Sequence, residues 1–234
     1  MTVVVAFVSR KGGVGKSTLA RALCAVAARR GLNTTLADLD EGQRTVSRWQ
    51  YQRERHRVFP PLNVAAYGNV DSAIAGESDV DLLIVDGPGR DPELTVEIAS
   101  VAHFVVQPTG ACFDDLQPAA ELFYGLRASG IPKLRLYAAL SRVLDPGEEQ
   151  AARAYLEVSD FNLLPGAIGE QARYREAHNR GLAFIECPGE NLSAPGGVLL
   201  GALLARIVEK HRMLRQIPNR AREPQRLLSS LAAR

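Results

Sequence analysis

The residues best suited to chemistry lie near the start of the chain, where positions 9–18 read SRKGGVGKST. Glycines let a backbone curl closely around phosphate oxygens, and the N–H groups that open a following helix point at the anion. In such a loop Lys16 can reach the β- and γ-phosphates of a nucleotide, and the Ser17 hydroxyl can bind Mg²⁺. The segment therefore predicts a phosphate-binding loop. The alternative is an ordinary glycine-rich turn that binds nothing.

Three acidic residues follow apolar runs further along the chain. Asp38 and Asp40 end the run at 33–39, and Asp86 ends the run at 81–86. Alternation along a strand would place Asp38 and Asp40 on one face, and ligands bind at the carboxyl edge of open α/β sheets. We therefore expect these acids beside the phosphate loop. The alternative for Asp38 and Asp40 is that they cap the following helix.

The elements that must position these residues alternate between short apolar runs and helical patterns. This order predicts an α/β fold, with a doubly wound, mostly parallel sheet and helices on both faces. Strands are expected at residues 3–8, 33–39, 62–66, 81–86, 103–107, 133–140 and 163–168. Helices are expected at residues 17–30, 45–57, 69–76, 93–101, 113–128, 145–158 and 197–216. The last helix is expected to turn an apolar stripe inward, formed by Leu199, Leu200, Leu203, Leu204, Ile207 and Val208.

Composition limits the class of protein. The chain has 234 residues, of which 46% are apolar and 23% charged, as is usual for one globular domain. No apolar run is long enough to span a bilayer, and the N-terminus has no signal-peptide pattern, so a cytoplasmic location is expected. Cys24, Cys112 and Cys187 form no CxxC pair, which argues against a disulfide framework or a zinc site.

Charge is unevenly distributed along the chain. The formal net charge is +2, yet residues 206–234 hold eight Arg and Lys against two Glu. We expect the folded domain at 1–217 and a basic tail at 218–234. A basic tail on a slightly acidic body suggests contact with a polyanion, and the alternative is a solvated, partly disordered end.

The phosphate loop departs from the usual G-x-x-x-x-G-K-[ST] pattern. Arg10 stands at the first glycine position, and a second lysine, Lys11, opens the loop. This KGGVGKST form resembles the deviant loop of the ParA/MinD family of ATPases. The resemblance implies a P-loop NTPase fold, ATP and Mg²⁺ as cofactors, and a homodimer that sandwiches ATP. In such a dimer Lys11 reaches the nucleotide of the other subunit, and Asp114 or Asp115 shapes the interface.

The resemblance also implies individual roles. Asp40 orients or activates the attacking water, and the residues implied in catalysis are Lys11, Lys16 and Asp40. The residues implied to hold Mg²⁺ are Ser17, Asp38 and Asp86. Those implied to bind the nucleotide are Lys11, Gly12, Gly13, Val14, Gly15, Lys16, Ser17, Thr18 and, near the adenine, Ser141. The family's D-x-D-P-Q segment is altered here, because Glu41 replaces the proline and one residue is added before Gln43.

Arginines provide candidate contacts to DNA. The segment 169–177 resembles one in which some relatives use an arginine for non-specific DNA binding, although Glu170 stands at that position here. The candidates are therefore Arg173, Arg175, Arg206, Arg212 and Arg215. The helix expected at 45–57 carries a further run, formed by Arg44, Arg48, Arg53, Arg55 and Arg57. This run either faces DNA or a partner, or is simply a solvated face.

The compact length resembles the small plasmid-partition ParA branch. That resemblance implies an ATPase that partitions plasmid or chromosomal DNA, associates with the nucleoid, and is stimulated by a ParB-like centromere-binding protein. One alternative is a MinD-like membrane ATPase, for which residues 226–234 are a faint candidate anchor. Another is a relative that positions a protein cluster. An iron–sulfur reductase of the nitrogenase type would need paired cysteines with suitable flanking motifs, which this sequence lacks.

Overall fold

The computed structural model describes residues 1–89 and 91–216. The strands are β1 (Val3–Phe7), β2 (Thr34–Asp38), β3 (Asn63–Ala66), β4 (Leu82–Asp86), β5 (Phe104–Thr109), β6 (Leu136–Val143) and β7 (Asn162–Gly169). The helices are α1 (Lys16–Arg29), α2 (Thr45–Arg55), α3 (Val70–Gly76), α4 (Pro92–Val101), α5 (Phe113–Ala128), α6 (Pro146–Val158), α7 (Ala172–Asn179) and α8 (Pro195–Gln216). Short 3₁₀ turns lie at Lys133–Arg135 and Phe184–Glu186. The predicted tail at 218–234 falls outside the described residues.

All strands join one sheet in the order β3-β2-β4-β1-β5-β6-β7, and every pairing among the described residues is parallel. The register sets Phe7 of β1 and Asp38 of β2 both opposite Asp86 of β4. The carboxyl ends of the three central strands are therefore level. The predicted α/β fold is confirmed, and the sheet is parallel throughout these strands.

Apolar residues cover the sheet on both faces. Val3, Val5 and Phe7 alternate onto the face packed by α1 and α8, while Val4 and Ala6 join the core on the opposite face. Strands buried on both faces need near-continuous apolar runs, which is the pattern the sequence shows. Within residues 1–89 and 91–216, no helix combines the length and apolarity needed to cross a lipid bilayer.

Three expectations from the sequence are corrected. The strand expected at 133–140 is shifted, because β6 begins after the 3₁₀ turn and continues through Ser141 to Val143. Asp40 lies beyond the end of β2, so strand alternation does not determine its position. Val208 is 37% exposed, because it follows the buried Ile207 by one residue and is rotated about 100° around the helix axis.

A buried ion pair fixes α2 against the C-terminal half of the chain. Arg53 donates hydrogen bonds to the Glu186 carboxylate at 2.7 and 3.0 Å, and both side chains are only 1% exposed. The Arg53 guanidinium also donates to the carbonyl oxygens of Gly181 and Pro60, at 3.0 and 2.9 Å. Gly181 has φ +75°, and a Cβ there would overlap the backbone of Arg53. Glycine is therefore required where the two segments meet.

We expect Arg53→Ala to lower the free energy of unfolding by about 3–5 kcal/mol, because it leaves the Glu186 carboxylate buried without its main partner. Urea denaturation followed by circular dichroism measures this loss. Arg10→Ala is the matched control. It breaks the exposed Arg10–Glu121 pair at 3.2 Å, and should cost no more than about 1 kcal/mol. Equal losses in the two variants would contradict the bracing role of Arg53.

Candidate nucleotide-binding site

A cavity of about 780 Å³ opens at the carboxyl edge of the sheet. It is bounded by the loops that follow β1, β2, β4 and β7, by the last residues of β6, and by the facing sides of α1 and α7. Lys16, Ser17, Asp40 and Ser141 all line it. Residues that are far apart in the sequence, but predicted for one site, therefore meet at this edge.

The phosphate loop connects β1 to α1. Gly13 and Gly15 have φ values of +76° and +105°, which are left-handed conformations that favour glycine. A Cβ at Gly15 would lie 3.1 Å from the Ser141 hydroxyl oxygen. That hydroxyl donates to the carbonyl oxygen of Val14. Ser141 therefore braces the loop, and its predicted contact with adenine stays a prediction.

Lys16 opens α1 and lies in the cavity. Burial lowers the pKa of its ammonium group, and the carboxylates of Asp86 and Asp40 oppose that shift. A Cβ at Gly89 would lie 3.0 Å from the Lys16 Nζ, so the segment after β4 closes over this lysine. In the part of the chain that the structure describes, the Lys16 Nζ forms no salt bridge with a carboxylate. An anion that enters the cavity would find this charge available.

Ser17 and Asp86 are in contact beneath the phosphate loop. The Ser17 hydroxyl donates to Asp86 Oδ2 at 2.6 Å. Asp86 is 2% exposed, and its Oδ1 has no hydrogen-bond partner among the described residues. Burial raises the pKa of Asp86 to about 7. A hydroxyl and a carboxylate are oxygen donors of the kind Mg²⁺ prefers beside phosphates, so the buried, unpartnered oxygen fits such a cation.

Asp38 and Asp40 are not equivalent. Asp40 lines the cavity, and its Oδ1 accepts from the backbone N–H of Gln43 at 2.9 Å. Asp38 is buried behind it. The Asp38 carboxylate accepts from the Asp40 N–H at 3.2 Å, and from the N–H and hydroxyl of Ser47 at 3.0 and 2.8 Å. Asp38 thus secures the loop and the first turn of α2, as the capping alternative expects, and its place in a Mg²⁺ shell stays a prediction.

Lys11 points away from its own cavity. Its Nζ donates to the carbonyl oxygen of Asp114 at 3.2 Å and pairs with the Asp115 carboxylate at the start of α5. The hydrogen bond to Asp115 raises the pKa of Lys11. The other predicted loop residues, Gly12, Gly13, Gly15 and Thr18, line the cavity, whereas the Val14 side chain is buried beneath it.

The arginines predicted to contact DNA do not form one surface. Arg173 pairs with Glu190 and Arg175 with Glu170 near the cavity. The three on α8 lie toward the opposite, amino-terminal edge of the sheet. There Arg215 pairs at 3.0 Å with Asp81, Arg206 lies 5.4 Å from the ring centre of Tyr137, and Arg212 is exposed. Their DNA contacts stay predictions.

Sequence reasoning missed two groups in the cavity wall, the buried Arg21 and the half-buried His178. Arg21 donates to the Thr45 carbonyl oxygen at 2.7 Å and lies 5.3 Å from the ring centre of Trp49. Burial lowers the pKa of Arg21 to about 10 and that of His178 to about 4, so the histidine is neutral at pH 7. Within the described chain, Arg21 Nε and His178 Nε2 have no hydrogen-bond partner. For Arg21, the sequence signal that could have revealed its burial was its position inside the apolar stripe of an alanine-rich helix.

Solved structures share this fold. MinD from Pyrococcus horikoshii OT3, complexed with Mg-ADP, is 16% identical, with a TM-score of 0.70 over 90% of this chain and 99% of that one. A putative plasmid partition protein from Borrelia burgdorferi B31, bound to AMPPNP, is 14% identical, with a TM-score of 0.65 over 88% and 99%. Cyanothece McdA(D38A), in a complex with ATP, is 16% identical, with a TM-score of 0.63 over 89% and 96%. At these identities the likeness establishes the fold.

The family comparison covers nearly the whole chain. No curated protein sequence matches it. The model of the CbiA family, described as the CobQ/CobB/MinD/ParA nucleotide binding domain, matches residues 5–234. The match spans far more than half of the sequence, so the protein belongs to the CobQ/CobB/MinD/ParA nucleotide-binding family.

Proposed function

We propose that the protein is a Mg²⁺-dependent ATPase of the ParA type, which partitions DNA by binding it as an ATP-bound homodimer. The observation that carries this proposal is the contact between Ser17 and Asp86 beneath the glycine-rich loop, at 2.6 Å. Beside it lies Lys16, a half-buried cation that forms no salt bridge within the described residues. This arrangement suits a nucleotide triphosphate and a divalent cation.

Hydrolysis would depend on positioning and on neutralising charge. Bound Mg²⁺, held by Ser17 and Asp86, would neutralise negative charge on the β- and γ-phosphates. Lys16 would contact the same phosphates, and loop N–H groups would hold them in place. Asp40 would orient the attacking water, because it is the carboxylate that lines the cavity from the β2 loop.

Dimerisation would bring a second lysine to each nucleotide. Lys11 is exposed, so it can leave Asp115 for the more highly charged triphosphate of a second subunit. The dimer would bind DNA non-specifically through phosphate contacts, associate with the nucleoid, and release DNA when a ParB-like partner stimulates hydrolysis. The likeness of the fold to a plasmid partition protein supports this use of the ATPase.

Two variants separate binding from hydrolysis. Lys16→Ala should weaken ATP binding roughly 10- to 100-fold, because it removes a charged hydrogen-bond donor to the phosphates. Asp40→Ala should bind ATP normally but release phosphate about 10²- to 10⁴-fold more slowly. Fluorescent-nucleotide binding and phosphate release measure the two steps. Asp71→Ala, an exposed acid on α3, is the control. Near-normal turnover in Asp40→Ala would refute its role.

Lys11→Ala tests the dimer. We expect this variant to bind ATP but to remain a monomer, because the cation that would bridge the subunits is gone. Size-exclusion chromatography with light scattering, with ATP and Mg²⁺ present, measures the mass. The comparison is Asp40→Ala, which should hold ATP and accumulate as a dimer. A dimer of unchanged stability in Lys11→Ala would contradict the bridging role.

DNA binding tests the biological role. The wild-type chain should bind a random-sequence duplex with ATP but not with ADP or without nucleotide, and more weakly as salt is raised. Lys16→Ala should abolish binding. Fluorescence anisotropy at two salt concentrations measures it. The contrary result would be a chain that hydrolyses ATP but does not bind DNA, and whose ATP-bound form pellets with vesicles of anionic lipid. In that case the DNA-partitioning role is wrong and a MinD-like role replaces it.

A further inference from the structure

The outer face of α2 carries a row of charged and aromatic residues that the nucleotide site does not use. Arg44, Arg48, Tyr51 and Arg55 follow one another at spacings of four, three and four residues. The spacing of Arg48, Tyr51 and Arg55 places their side chains on one face of α2, and Arg44 is the residue that immediately precedes the helix. All four are exposed, and 62% of the surface of Tyr51 is accessible. We name this set the α2 arginine row.

The arginines of this row differ from those predicted to contact DNA. Among residues 1–89 and 91–216, none of Arg44, Arg48 and Arg55 forms a salt bridge, whereas Arg173 and Arg175 each pair with a glutamate. The acid nearest in sequence to the end of the row, Glu54, accepts a hydrogen bond from Gln50 at 2.9 Å. A guanidinium that forms no salt bridge is available to pair with a phosphate. This pairing releases the counterions that the phosphate had bound.

The inner face of the same helix is fixed. Val46, Trp49 and Arg53 are buried, and the Trp49 indole N–H donates to the carbonyl oxygen of Leu182 at 3.3 Å. Together with the Arg53–Glu186 pair, these contacts stop α2 from rotating about its axis. The arginine row therefore faces solvent on a rigid element, which limits the entropy lost when it binds a partner.

The N-terminal end of α2 is joined to the nucleotide site. The Asp40 carbonyl oxygen accepts from the Arg44 N–H at 2.8 Å, and the Asp38 carboxylate holds Ser47 in the first turn. Arg21, from the helix that follows the phosphate loop, donates to the carbonyl oxygen of Thr45 at 2.7 Å. A change at Asp40 when nucleotide binds is therefore passed directly to the start of the arginine row.

We propose that the α2 arginine row contacts the phosphate backbone of duplex DNA, in a manner set by the nucleotide. The helical part of the row, from Arg48 to Arg55, extends over about 10 Å, from seven steps of 1.5 Å, which is comparable with the width of the DNA major groove. Arginine suits phosphate through its planar set of donors, and Tyr51 can add a hydrogen bond to the backbone. The inference rests on the proposed function, because it assumes that the ATP-bound protein binds DNA.

The test compares two charge-matched double variants of the full chain, with ATP and Mg²⁺. Arg48→Ala/Arg55→Ala removes two cations of the row, and Arg30→Ala/Arg127→Ala removes two exposed cations from the ends of α1 and α5, which have no predicted contact with DNA. Binding to a random-sequence duplex is measured by anisotropy over a series of salt concentrations. The α2 variant should bind roughly 10- to 100-fold more weakly at about 0.1 M salt, and its log–log salt slope should be shallower by about two per subunit in contact. The control variant should match the wild type.

The variant Arg48→Lys/Arg55→Lys tests whether weaker DNA binding in the α2 variant comes from lost charge or from misfolding. It restores the charges on exposed positions, so the salt slope should return to that of the wild type. DNA binding that is unchanged in the α2 variant, or that falls equally in the α2 variant and in Arg30→Ala/Arg127→Ala, overturns the inference and leaves the proposed function standing. A wild-type chain that binds no DNA overturns both. If the α2 variant instead loses binding to anionic vesicles while its DNA binding is unchanged, the row is a membrane surface and the inference is wrong.

Discussion

The parallel register of β4 with its two neighbours is the constraint on which the site depends. It sets Asp86 level with the last residues of β1 and β2, directly below the helix that the phosphate loop opens. Only there can the Ser17 hydroxyl reach the Asp86 carboxylate at 2.6 Å. A slip of one residue would turn Asp86 to the other face of the sheet. The remaining, unpartnered oxygen of Asp86 costs on the order of 1–3 kcal/mol, which a bound cation would offset.

Helix α2 transmits that constraint away from the cavity. Its N-terminal end is held by Asp38 and by Arg21, both of which lie next to the cavity. Its C-terminal half is held by Arg53 in the buried pair with Glu186. A helix fixed at both ends cannot adjust to a moving Asp40 loop by rotating alone. The contacts of Asp38 and Arg21 therefore link the position of α2 to that of the Asp40 loop.

The fold class, the phosphate loop and the position of Asp86 were predictable because their signals are local. Apolar runs buried on both faces reveal a parallel strand, and the glycine spacing reveals the loop. The sequence left two roles open for Asp38, because the choice depends on where α2 begins and on Ser47, nine residues away. Ser141 was expected just beyond its strand but lies within it, because the boundaries of β6 are set by a 3₁₀ turn and by pairing with β5 and β7.

The arginines show most clearly what sequence alone leaves undecided. Whether an arginine is available to a partner depends on carboxylates that are distant in sequence, such as Asp81, which lies 134 residues from Arg215. On α2, helical phase separates side chains that look alike in the sequence. Arg53 is turned inward and forms a buried ion pair, whereas Arg48 and Arg55 are turned outward and form no salt bridge within the described residues. One helix thus uses the same residue type for two purposes. Arg53 fixes the helix against the rest of the protein, and Arg48 and Arg55 give the outer surface of the helix its positive charge.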